Sequence, residues 1–113
     1  MRKSPLESIK KTADFKTVYK LGKTASNRFF AVHMYPNEKN LARLGLSIGR
    51  KAGKAVTRNR LRRWVKEYFR LNEHGLTGVD VVVVARSLAK DLVKYGKYGD
   101  VEKYLSSLLE QVR

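Results

Sequence analysis

Apolar residues repeat at three- and four-residue steps in three stretches of the chain, and at every second residue in two others. Phe15, Val18 and Tyr19 share one helical face. Thr12 suits the N-cap, Asp14 the first turn and Gly22 the residue past the end, which predicts a helix over about 13–21. Residues 29–35 alternate instead, with Phe30, Val32 and Met34 on the face assigned to the core and Phe29, Ala31, His33 and Tyr35 on the other. Pro36-Asn37 ends that strand, and residues 37–42 read as a polar loop. A second strand over 43–48 sets Leu44, Leu46 and Ile48 against Arg43, Gly45 and Ser47. The small residues Gly45 and Ser47 are expected to leave room for a ligand on their side. Val81 to Val84 is β-branched throughout and reads as an inner strand covered on both faces. Residues 88–95 suggest a short helix. Asp100 is positioned to cap a last one over 101–112, whose inward face holds Val101, Tyr104, Leu105, Leu108 and Val112.

The longest helical pattern lies between the second and third strands, within Lys51–Arg70. Leu61, Trp64, Val65, Tyr68, Phe69 and Leu71 form one broad arc, with Asn59, Arg60, Arg62, Arg63, Lys66 and Arg70 opposite. Strand, long helix, strand is the pattern of a crossover unit, with the apolar arc packed on the sheet. The chemistry of the other arc is unusual. Residues 50–70 contain six Arg and three Lys against one acid, Glu67. Arg62, Lys66 and Arg70 repeat at a spacing where like charges repel. A merely solvated face usually mixes signs, so this one points to an external polyanion.

Charge distribution sharpens that inference. The 113 residues carry 25 Lys and Arg against 10 Asp and Glu, a net +15. Residues 1–71 hold 19 bases and 4 acids, whereas 72–113 hold 6 of each. An excess gathered in one part of the chain implies an oriented surface, for which nucleic acid is the commonest partner. The Arg-rich composition suits phosphate and base stacking. An anionic membrane is the weaker rival, because the apolar arc has an internal use and no apolar run is long enough to span a bilayer. Residues 1–11 read as a loose basic arm without a signal peptide's apolar core. Absence of Cys removes disulfides and thiolate metal sites and fits a reducing compartment, so the expected setting is cytoplasmic. The expected organisation is a single nucleic-acid-binding domain over 1–113.

Intrinsic chemistry finds little support. Glu7, Asp14, Glu38 and Glu67 are scattered, and His33 and His74 sit on different elements, with His74-Gly75 and Thr77-Gly78 read as a turn. The loop Gly49–Lys54 lacks Walker spacing, although its amides beside a helix start are candidates for holding a phosphate. The chain reads as an RNA- or DNA-binding module whose chemistry is supplied elsewhere.

The run from Lys51 to Arg63, KAGKAVTRNRLRR, resembles the RNR signature of the bacterial ribonuclease P protein subunit, K-x-G-x-A-V-x-R-N-R-x-K/R-R. The likeness extends over nearly the whole chain: Asp14-Phe15 through Gly22, Asn27-Arg28 with Phe30, Arg43 to Ser47, and Asp80 to Arg86 each resemble family segments. Lys54, Gly49-Arg50 and Lys66 depart from the usual residues, mostly with retention of positive charge. The resemblance implies an α/β (α+β) two-layer sandwich with a left-handed βαβ crossover, where general rules favour a right-handed one. It implies that the protein joins a catalytic ribonuclease P RNA which, with its own Mg²⁺, removes the 5′ leader of precursor tRNA. Neither a membrane nor DNA is an expected partner. It assigns Arg50, Lys51, Lys54, Arg58, Asn59, Arg60, Arg62, Arg63 and Lys66 to the RNA subunit, and Phe15, Tyr19, His33 and Ser47 to the leader, with no catalytic and no metal-binding residue in the protein. Aromatic stacking tolerates varied base sequence, as a variable leader requires; core packing is the alternative use of Phe15 and Tyr19. The competing readings are a structural RNA-binding protein, a helix-in-groove DNA binder and, least favoured, a self-sufficient nuclease.

Overall fold

The computed structural model describes residues 6–71 and 76–113. Its elements are β1 (Leu6–Ser8), α1 (Thr12–Leu21), β2 (Lys23–Ser26), β3 (Phe30–Pro36), β4 (Ala42–Ser47), α2 (Ala55–Leu71), β5 (Val79–Ala85), α3 (Lys90–Tyr95) and α4 (Tyr98–Val112). Single 3₁₀ turns at Arg50–Ala52 and Ser87–Ala89 precede α2 and α3. The sheet runs β1-β4-β5-β3-β2. β4 is parallel to both β1 and β5, whereas β3 is antiparallel to β5 and β2. The connection β4–α2–β5 is the crossover unit expected from the sequence.

One face of the sheet carries the main core. Phe30, Val32, Met34, Leu44, Val81 and Val83 project from it, and Leu61, Val65, Tyr68 and Phe69 of α2 are buried in the same cluster. Leu105, Leu108 and Val112 of α4 complete it. The Tyr68 and Ser106 hydroxyls share a 2.9 Å hydrogen bond that joins α2 to α4. The apolar arc of α2 thus packs as predicted, except at two positions: Trp64 is only half-buried against the core, and Leu71, the last residue of the helix, is 45 % exposed.

Among the described residues, α1 is the helix that packs on the opposite face. Val18 of α1 is fully buried with Ile9 and Val82, and Phe15, Tyr35 and Val84 pack around them. The expectation of a loose arm over 1–11 fails at its end. Leu6–Ser8 forms the edge strand β1, and the Ile9 amide donates to the Leu44 carbonyl at 3.0 Å. β2 was not anticipated either; only Ala25 within it is buried, so its pattern carries little signal. Lys11, not Thr12, occupies the N-cap of α1, and Gly22 ends the helix in an extended conformation. Asp100 lies inside α4, where its carboxylate accepts from the Lys97 amide at 2.9 Å.

Candidate nucleic-acid interface

Strand register arranges the α1-side face of the sheet in rows. Thr24, His33, Val82 and Gly45 form one row across β2, β3, β5 and β4. Ser26, Ala31, Val84 and Ser47 form the next. Tyr35, Asp80 and Arg43, with Glu7 of β1, form the row on the other side. α1 lies over the first row.

Three side chains fix that seat. Val18 is buried against Val82. Phe15 fills the space above Gly45: a Cβ there would stand 2.7 Å and 2.8 Å from two atoms of the ring. The room expected at Gly45 for a ligand is therefore taken by the protein's own aromatic. The third contact is electrostatic. Arg43 grips Asp80 in a two-pronged pair, Nε to Oδ1 at 2.8 Å and Nη2 to Oδ2 at 2.6 Å, while its Nη1 reaches Asp14 of α1 at 3.3 Å. Asn37 also donates to Asp80 Oδ1 at 2.8 Å. Burial alone would push the Asp80 carboxyl up, but the hydrogen bonds from Arg43 and Asn37 hold it below the usual carboxylate range. Arg43 is correspondingly pushed further into its charged state by Asp80.

The aromatic candidates come together beside this seat. Phe15 and Tyr19 have ring centroids 6.4 Å apart, and the Tyr19 ring meets His33 edge-on at 5.0 Å. Tyr19 is 38 % exposed and Phe15 is half-buried, so Phe15 serves packing more and Tyr19 less. His33 Nδ1 is 3.0 Å from the Thr24 hydroxyl, and partial burial lowers its pKa, which favours the neutral ring. Thr24 was missed with the rest of β2. Ser47 lies on the same face in the row past His33, half-buried among small side chains. That row, Ser26–Ala31–Val84–Ser47, is a partly open trough, with Ser26 exposed and Ala31, Val84 and Ser47 half-buried.

The basic candidates occupy the other side of the sheet, along α2. Arg60, Arg63 and Lys66 are exposed, as are Arg50, Lys51 and Lys54 before the helix. Asn59 is exposed and accepts a hydrogen bond from Arg62 Nη1 at 3.1 Å. Two residues depart from the expected picture. Arg58 is half-buried and its Nε donates to the Gly53 carbonyl at 3.2 Å, so part of its guanidinium is used to brace the loop. Arg70 is clasped by Glu67 at 2.9 Å and 2.8 Å, which leaves Lys66 as the less compensated charge at that end. Gly53 has φ +111°, where an added Cβ would also press on Thr57 at 3.0 Å, so glycine is required for the turn into α2. The amides of Ala52 and Gly53 already donate to the Gly49 and Arg50 carbonyls, which removes two of the loop donors considered for phosphate. His74 lies outside the described residues. The loop Gly49–Lys54 follows directly on β4, so the trough and the basic helix, on opposite faces, meet at the end of that strand.

The sequence matches the Ribonuclease P family over residues 4–112. The chain belongs to the ribonuclease P protein family. It is 42 % identical over 97 residues to the Ribonuclease P protein component of Staphylococcus haemolyticus, covering 86 % of this chain and 85 % of the relative. Its likeness to the Clostridioides difficile component is 37 % over 107 residues, 93 % of this chain and 90 % of that one. The solved RNase P protein of Thermotoga maritima superposes with a TM-score of 0.85 at 34 % identity, covering 95 % of this chain and 98 % of the other. That of Staphylococcus aureus gives 0.84 at 34 %, with 94 % of each chain covered. Ribonuclease P is an endoribonuclease, and this chain has the family's sequence and fold from near one end to the other.

Proposed function

We propose that this protein is a working subunit of ribonuclease P: it binds the catalytic RNA through α2 and the loop before it, and holds the 5′ leader of precursor tRNA on the opposite face. The observation that carries the reading is the placement of the Tyr19–His33 pair beside a partly open row of small side chains, with the Arg-rich α2 joined to the far end of that row. Single-stranded nucleic acid is held by this combination, aromatic faces for bases and cations for phosphates, with little sequence demand. In this reading Arg50, Lys51, Lys54, Asn59, Arg60, Arg62, Arg63 and Lys66 meet the RNA subunit, with Arg58 shaping the loop that presents them. Tyr19, His33 and Ser47 meet the leader, and Phe15 supports Tyr19 from below.

The protein supplies binding and orientation, and the RNA supplies the chemistry. The Mg²⁺ of the reaction belongs to the RNA. No helix among the described residues is long and apolar enough to cross a membrane, and the reading places the protein in the cytoplasm with precursor tRNA.

The test is cleavage of a 5′-extended precursor tRNA at low Mg²⁺ by a bacterial ribonuclease P RNA, with and without the protein. Restored cleavage, with the protein inert alone, is the expected result. RNA binding without any change in cleavage would reduce the protein to a structural RNA binder. Cleavage by the protein alone would overturn the division of labour.

A further inference from the structure

The part of the chain after residue 71 is neutral as a whole, but its charges are unevenly spread. Four of its six bases, Arg86, Lys90, Lys94 and Lys97, lie within residues 86–97, against one acid, Asp91. Lys90 and Lys94 stand one turn apart on α3, both exposed. Among the described residues neither is in an ion pair, so no direct partner relieves their repulsion. Beside them Tyr95 is 75 % exposed, with Lys94 Nζ 5.2 Å from its ring centroid. Tyr95 also walls a cavity of about 290 Å³, together with the half-exposed Leu88 and with Phe29 and Tyr104, whose rings are 4.6 Å apart. Asp91 and Asp100 line it too, and Asp100 already accepts from the Lys97 amide.

This patch is continuous with the basic loop before α2. The 3₁₀ turns Arg50–Ala52 and Ser87–Ala89 touch, and Ala52 and Ala89 are buried in one cluster. Lys90 Cβ lies 3.4 Å from where a Cβ on Gly53 would stand. The cations of the loop, Arg50, Lys51 and Lys54, are therefore followed on the surface by those of α3. α3 packs against α2 and α4, on the side of the sheet away from α1 and the leader face.

We propose that α3 is a second contact with the RNA subunit, in which Lys90 and Lys94 hold phosphates and an unpaired base lies on Tyr95 and Leu88. Such a contact presupposes the RNA-subunit reading of α2 and its loop, and carries that interface into the half of the chain that charge sums make neutral. Duplex RNA would use the lysines but not the ring. An apolar protein segment would use the ring but leave both lysines without a counter-charge. An unpaired nucleotide with its backbone uses all of them, through stacking and counterion release. The carboxylate of Asp91, beside the ring, is an acceptor for the exocyclic amino group of such a base.

The experiment is binding of ribonuclease P RNA alone, without tRNA, over a series of salt concentrations. Tyr95→Ala should weaken it at least about fivefold with an unchanged salt slope, the loss of one stacked base, and Tyr95→Trp should keep wild-type affinity. Lys90→Ala with Lys94→Ala should lower the slope of log affinity against log salt by roughly one to two. All these positions are exposed, so urea midpoints should stay at the wild-type value. Wild-type affinity and slope in both the Tyr95→Ala and the double-lysine variants would overturn the proposal, as would equal losses in Tyr95→Ala and Tyr95→Trp. Losses seen only with leader-bearing precursor tRNA would assign the patch to the substrate and overturn it too. Arg60→Ala with Arg62→Ala is measured beside them. If that variant also binds the RNA like wild type, the reading of α2 has failed; if it alone loses affinity, only the contact at α3 has failed.

Discussion

Replacing Arg43 by Met would test how much of the fold hangs on one buried charge pair. Asp80 is only 5 % exposed and takes hydrogen bonds from Arg43 at 2.8 Å and 2.6 Å and from Asn37 at 2.8 Å. Met fills much the same volume, so the cost is electrostatic and not that of a cavity. Removing one partner of a buried pair leaves an uncompensated charge and costs about 3–5 kcal/mol. A domain of this size has roughly 5–15 kcal/mol to lose, so Arg43→Met should fold but with much of its margin gone. The pH dependence gives a second check. In the wild type the Asp80 carboxyl sits below its unfolded range, so its contribution is complete above that range and disappears as pH falls through the lowered folded value. In the variant, burial without Arg43 raises the folded value, and the variant then loses stability as pH rises through it. The two stabilities must therefore converge on acidification. Urea unfolding at pH 7 and pH 4.5 measures this, and Arg43→Met with Asp80→Asn should lose less than the two single changes added. A deficit below about 1 kcal/mol at pH 7, or one that ignores pH, would show that water or relaxation satisfies Asp80 and would refute the reasoning.

Tyr19→Ala should weaken binding of leader-bearing precursor tRNA by about 1–3 kcal/mol, one stacked base, and leave leaderless tRNA unaffected; equal losses would assign Tyr19 to packing. Arg60→Ala with Arg62→Ala should lower the slope of log affinity against log salt by roughly one to two, as lost phosphate contacts do, and an unchanged slope would remove both side chains from the RNA. Gly45→Ala sets a methyl group 2.7 Å from the Phe15 ring. It should cost about 1–3 kcal/mol in chemical denaturation and displace α1 enough to reduce leader affinity; a neutral outcome in both assays would mean that Phe15 has free room to turn.

Legibility in the sequence followed the length and strength of each element's own pattern. α2 shows both arcs over seventeen residues, and its buried set is that predicted except for Trp64 and Leu71. The core face of β3 and the double burial of β5 were equally plain, because alternation and a β-branched run are local signals. β1 and β2 have three and four residues and are defined by partners 36 and 5–11 positions away, so their own residues say little. Asp80 looked like an interruption in an apolar strand and Arg43 like a solvent-side residue; only the register that sets them side by side makes them one unit. Glycine at position 45 was read as room for a ligand, and no pattern could say that Phe15, thirty residues earlier, would fill it. Among the site residues, Tyr19 and His33 were placed by family likeness and by strand alternation, and the structure brings them together. Arg58 and Arg70 looked like their neighbours in sequence and differ from them only in what they touch.

The two cores are unequal. Among the described residues, the one under α2 and α4 gathers twenty-one buried residues, while the one under α1 gathers three. In hydrogen exchange such a molecule should not open all at once. α1, held by Val18, one aromatic in a glycine niche and one ion pair, is the natural first unit to detach, well before the β3–β5–β4 ladder yields. The surface that carries Tyr19 is therefore expected to open before the central ladder. A strand of RNA lying across it would raise the protection of α1 amides first, so that the leader, besides being held, would help to finish the folding of the helix that holds it.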